Sequence, residues 1–125
     1  MKLAKSFACA FRGIYVAFKS ERNFRIHLAA MCLAVALGFY LGLSVLGWSL
    51  IIFAIGFVLA AELFNTALER LGDEVACGRL SQMVKNAKDV SAAAVLLSAF
   101  TAFTIGVFIL FVPLVRKMLE LLVNR

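Results

Sequence analysis

The chain has 125 residues, 64% of them hydrophobic, with 12 phenylalanines and a mean hydropathy of +1.00. Charged residues make up 16% and leave a net charge of +6. That is too little charge to cover a water-soluble domain of this length, so soluble enzymes and nucleic-acid-binding modules are excluded in favour of one integral membrane domain.

Residues 3–20 read as a surface helix. Phe7, Phe11, Ile14 and Phe18 recur at helical spacing against Lys5, Arg12 and Lys19, the pattern of an amphipathic helix on an anionic leaflet. Arg12 and Lys19 interrupt the apolar stretch and no small-residue cleavage site follows, which argues against a signal peptide. No Asp, Glu, Lys or Arg occurs from Leu28 to Ala61. At about 20 residues per crossing this run is too long for one span and predicts two, near 24–42 and 47–71, joined by a tight turn. Gly38 and Gly42 fit either close helix packing or the approach to that turn.

A polar loop to about residue 84 precedes a third span near 85–112, whose stretch Val90–Val115 is again free of charge. The tail 113–125 carries Leu114, Met118, Leu121 and Leu122 and reads as a short amphipathic helix on the outer surface. The first 25 residues hold six of the thirteen basic residues, Arg70–Lys88 holds four, and the turn near Leu41–Trp48 holds none. Both basic segments are therefore expected at the cytoplasmic face of the membrane. Cys9, Cys32 and Cys77 imply no disulfide framework and read as small buried residues. The fold class is all-α, a surface helix followed by three membrane helices.

The second predicted span ends in AAELFNTALERLGDE, where Glu62, Asn65, Glu69 and Asp73 share one polar stripe. Carboxylates inside an apolar span are expensive and mark ion, proton or phosphate chemistry. The topology brings this stripe level with Glu21, Arg25 and His27 at the start of span one, and with Lys85, Lys88 and Asp89 at the start of span three. Glu21 and Glu69 offer oxygens suited to magnesium, which takes one or two carboxylates along with phosphates and water. Lys88 suits the charge of a transferring phosphoryl group. Glu62, set deeper, suits a general base for an alcohol held at that depth. No Walker A sequence and no GxGxxG is present.

At these residues the sequence resembles the bacterial diacylglycerol kinase and undecaprenol kinase family of small integral membrane kinases. The match includes ERNFRIH at 21–27, E-x-x-N-T-A-x-E at 62–69 with Asp73 following, and AKD at 87–89. It covers about residues 5–112. The resemblance implies a homotrimer with active sites shared between subunits, Mg2+ and ATP as donor, and a membrane lipid alcohol as acceptor. By motif position it makes Glu62 the catalytic base with Asn65 beside it, and Glu21 and Glu69 the metal ligands. Lys88, Asp89 and Asp73 become nucleotide contacts, and Arg25 and His27 substrate contacts. The His in NFRIH resembles the branch acting on undecaprenol, with diacylglycerol as the alternative acceptor. The stretch CGRLSQ, 77–82, departs from the family's Glu-x-His element, and Cys9 stands where some members place an aromatic; both bear on recognition of the nucleotide base.

A small oligomeric proton-coupled transporter also uses an intramembrane carboxylate. It needs only one or two, near the middle of a span. The crowding of polar groups at one boundary favours phosphate and metal chemistry.

Overall fold

The computed structural model describes residues 2–76 and 81–124. The first four residues of the 77–82 stretch, Cys77 among them, lie outside the described residues. Five α-helices follow in order: α1 (Lys2–Ser20), α2 (Arg22–Leu41), α3 (Val45–Ala76), α4 (Gln82–Gly106) and α5 (Val112–Val123). A π-helical segment, Val107–Phe111, joins α4 to α5, and no strand occurs among the described residues. Among the described residues, three helical stretches are long and apolar enough to cross a membrane: Arg22–Leu41, Val45–Ala76 and the continuous Gln82–Val123.

The elbow between α1 and α2 forms at Glu21, whose backbone is extended (φ −98°, ψ 118°). Arg25 Nη1 donates to the carbonyls of Phe18 at 3.0 Å and Lys19 at 3.2 Å. Those carbonyls belong to the last turn of α1, where no intrahelical donor remains. Ala17, fully buried, and Phe24, 2% exposed, pack inside the bend.

Both glycines near the α2–α3 turn are explained by it. Gly42 sits in the left-handed region at φ 64°. Its N–H bonds the carbonyl of Phe39 at 3.2 Å while the N–H of Leu43 bonds that of Gly38 at 3.1 Å, the paired closure of a Schellman motif. A Cβ on Gly38 would stand 2.9 Å from Trp48 Cη2, so the missing side chain admits the indole ring. Ser44 then starts α3 by accepting the N–H of Gly47 at 3.2 Å.

Helices α3 and α4 form the main antiparallel pair. Ile51, Ala54, Val58, Glu62 and Thr66 make one buried row on α3 at helical spacing, and Ser91, Val95 and Ser98 are buried on α4. Small residues on both faces let the two backbones approach. Phe53, Phe57, Phe64, Phe100 and Phe103 point outward, as suits helices solvated by lipid.

One sequence expectation needs correction, at the cysteines. In the tail, α5 is the short helix expected there, and it runs on from α4 through the π-helical segment. Just before Pro113 the chain widens into π turns, with the N–H of Val112 bonding the carbonyl of Val107. That extra residue in the turn gives the proline ring room beside the preceding carbonyls, so the helix passes through it. Cys9 and Cys32 are exposed free thiols on the outer faces of α1 and α2. In a membrane protein the lipid-facing surface is as hospitable to a weakly polar thiol as a core.

Candidate active site

The row of buried residues that packs α3 on its neighbours includes Glu62, 2% exposed. Its backbone carbonyl accepts from Thr66 Oγ1 at 2.9 Å. Its carboxylate oxygen Oε1 lies 3.2 Å from His27 Nε2 on α2, close enough for an ion pair when the imidazole carries a proton. The approach lacks hydrogen-bond direction, and Oε1 has no hydrogen-bond partner among the described residues. A buried oxygen left in this state costs free energy unless a ligand or a proton completes it. The sequence shows no partner for Glu62 on its own helix; the partner comes from α2.

One turn further along α3, Asn65 links three helical positions. Its Nδ2 donates to Glu69 Oε1 at 3.0 Å, and its Oδ1 accepts from Ser91 Oγ of α4 at 2.7 Å. Beyond that, Lys88 Nζ on α4 meets Asp73 Oδ1 on α3 at 2.7 Å. Gly72 makes this crossing possible, since a Cβ there would stand 3.1 Å from Val84 Cγ1 and 3.4 Å from Lys88 Cδ. Glu21, at the α1–α2 elbow, accepts from Ser20 Oγ at 2.8 Å. Glu21 and Glu69 both lie within electrostatic range of Glu62.

Helices α1 to α4 thus bring seven of the nine residues singled out from the sequence to one end of the bundle: Glu21, His27, Glu62, Asn65, Glu69, Asp73 and Lys88. Arg25 is engaged with the α1 carbonyls. Asp89 is exposed and makes no hydrogen bond or ion pair with a described residue. Ser91, Thr66 and Gly72 escaped sequence reasoning. A weak signal exists for Ser91 alone, which follows Lys88 by three residues and so shares its helix face.

Among the described residues no three His, Cys, Asp or Glu side chains are arranged to hold a metal ion. Glu21 and Glu69, the two carboxylates that the sequence offers as ligands, would serve only an ion that brings phosphate oxygens and water as its other ligands.

From His27 an apolar groove of about 720 Å³ runs between α2, α3 and α4. Its floor includes Ala54 and Val58, and small residues such as Ala34 and Ala102 line its sides. It extends from His27 to Leu37 along α2, ten residues or roughly 15 Å at 1.5 Å per residue. A polar mouth beside a buried carboxylate therefore opens into a long apolar slot.

The profile of the prokaryotic diacylglycerol kinase family matches residues 8–110. An undecaprenol kinase of Bacillus subtilis is 39% identical over 109 residues, covering 87% of each chain. A diacylglycerol kinase of Synechocystis is 34% identical over 116 residues, covering 93% of this chain and 66% of the relative. A diacylglycerol kinase of Haemophilus influenzae is 31% identical over 96 residues, covering 77% and 80%. The chain belongs to the prokaryotic diacylglycerol kinase family.

Proposed function

We propose that this membrane lipid kinase transfers the γ-phosphoryl group of ATP to the terminal hydroxyl of undecaprenol, giving undecaprenyl phosphate and ADP. The observation that carries the reading is Glu62, a buried carboxylate with an unpartnered oxygen, beside His27 at the mouth of a lipid-sized apolar groove. An alcohol whose chain lies in the groove presents its hydroxyl where Glu62 can accept the proton. The alcohol oxygen then bonds to the γ-phosphorus, and the bond from that phosphorus to the β-bridging oxygen breaks.

Depth along α3 supports the division of roles. At 1.5 Å per residue Glu62 lies roughly 25 Å from the start of α3 at Val45, just inside a hydrocarbon core about 30 Å thick. Glu69 and Asp73 lie about 10 and 16 Å further along, in water's reach. Glu62 thus faces the lipid hydroxyl while Glu69 and Glu21 hold Mg2+, which when bound neutralises charge on the phosphates. Lys88, Asp73 and Asp89 receive the nucleotide, with Lys88 exchanging its bond to Asp73 for phosphate oxygens. His27 and Arg25 flank the acceptor's path.

The reading places this end at the cytoplasmic face, where ATP is, with α1 lying on the leaflet by its Phe7, Phe11, Ile14 and Phe18 face. It also includes a homotrimer with sites shared between subunits, as the family resemblance implies. Undecaprenol is favoured over diacylglycerol because the relative named for it has the higher identity, 39% against 34% and 31%. Protein reconstituted in vesicles with undecaprenol and magnesium-ATP is expected to place labelled phosphate in the lipid fraction. An unlabelled lipid fraction rejects the proposal.

A further inference from the structure

Ser91 is 7% exposed, and its single hydroxyl proton has two acceptors in reach. One is Asn65 Oδ1 on the facing helix at 2.7 Å, the other the carbonyl of Lys88 in its own helix at 2.9 Å. Ser98, two turns deeper on the same helix, is fully buried and makes only the local bond, to the carbonyl of Val95 at 2.8 Å. The two serines are thus near twins, and the cross-helix bond to Asn65 is what separates them.

That bond anchors the Asn65 amide in the sense that Glu69 requires. An ionised carboxylate only accepts hydrogen bonds, so the amide edge facing Glu69 must be the NH2 edge. The carbonyl edge then needs a donor, and Ser91 Oγ supplies it. With the amide held in this sense, Nδ2 fixes Glu69 Oε1 at 3.0 Å and leaves the other carboxylate oxygen, Oε2, without this restraint. Without Ser91 the carbonyl edge loses its donor. The amide then keeps only its bond to Glu69, can swing with that carboxylate, and no longer holds it in one orientation.

We propose that Ser91 is a positioning residue that anchors the Asn65 amide against Glu69 and, through it, holds the orientation in which Glu69 binds a nucleotide-borne divalent cation. This rests on the kinase reading for the identity of the cation's carrier. Groups that orient a metal-binding carboxylate typically govern affinity by about 10- to 100-fold. Because Ser91 sits one turn from Lys88, the same bond ties the metal-binding carboxylate of α3 to the segment of α4 assigned to the nucleotide.

The test uses the full chain in lipid nanodiscs, with Mn2+ as the paramagnetic probe and a non-hydrolysable ATP analogue in the binding measurements, and ATP in the turnover measurements. Ser91→Ala is expected to weaken Mn2+ binding about ten-fold, and to raise the half-saturating Mg2+ for turnover by a similar factor. Ser98→Ala, which removes the merely local bond, is expected to change both by less than about two-fold. In an Asn65→Ala background, Ser91→Ala is expected to add less than about two-fold, because its route to Glu69 is already cut. The inference is overturned if Ser91→Ala matches Ser98→Ala, or if its effect persists undiminished without Asn65. Wild-type protein that binds Mn2+ with the analogue yet phosphorylates no lipid alcohol overturns the kinase reading alone, since the Mn2+ affinities still judge Ser91.

Discussion

Glu62→Gln separates chemistry from folding more cleanly than any other substitution in this chain. The side chain is 2% exposed, its Oε1 has no hydrogen-bond partner among the described residues, and His27 Nε2 stands 3.2 Å away. Glutamine keeps the shape and removes both the charge and the basicity. Losing a general base costs about 10²- to 10⁴-fold in turnover. Stability should move the other way or stay level, because a partly satisfied buried carboxylate is destabilising by about 1–3 kcal/mol. The assays are phosphate transfer to lipid and thermal unfolding in detergent, supplemented by size analysis of the oligomer. His27→Ala supplies the complementary arm. It strips the buried carboxylate of its nearest polar neighbour on α2 and should destabilise the protein, whereas His27→Ala combined with Glu62→Gln should recover most of that loss. Turnover within about ten-fold of wild type for Glu62→Gln would refute the base assignment. A fall in stability as large as that of His27→Ala would refute the claim that the carboxylate is held at a cost.

Two further outcomes follow from the fold. Gly42→Ala forces a Cβ into the left-handed conformation at φ 64° and should destabilise the protein by about 1–2 kcal/mol while leaving the affinity for ATP unchanged, as read by unfolding and by nucleotide titration. Ala34→Phe projects a ring into the groove that starts at His27. It should raise the KM for the lipid several-fold and leave that for magnesium-ATP level; an equal rise in both would show that the groove does not carry the acceptor's chain.

Much of this architecture was legible because a bilayer reduces the choices. Charge-free runs at Leu28–Ala61 and Val90–Val115 have only one way to satisfy their backbones, as helices, and their lengths set three crossings. The stripe Glu62, Asn65, Glu69 and Asp73 was legible for a similar reason, since polar groups that share one helix face inside an apolar run stand out. What spacing along one helix cannot give is the partner on another. His27 beside Glu62, Ser91 beside Asn65, and the bed that Gly72 provides for Lys88 all depend on how α2 and α4 are rotated against α3. Arg25 shows the same limit from the other side. The family resemblance makes it a substrate contact, and spacing gives no sign that its guanidinium also closes the end of α1. Nor does spacing announce the π turn that carries the helix past Pro113.

The most direct test offers both lipid alcohols to the reconstituted protein in the same vesicles, with magnesium-ATP as donor, and measures kcat/KM for each from the labelled products. Undecaprenyl phosphate should form with the higher kcat/KM, and its formation should vanish with Glu62→Gln. Preferential formation of phosphatidic acid from diacylglycerol would contradict the assignment of the acceptor, and labelling of neither lipid would contradict the proposed phosphoryl transfer itself.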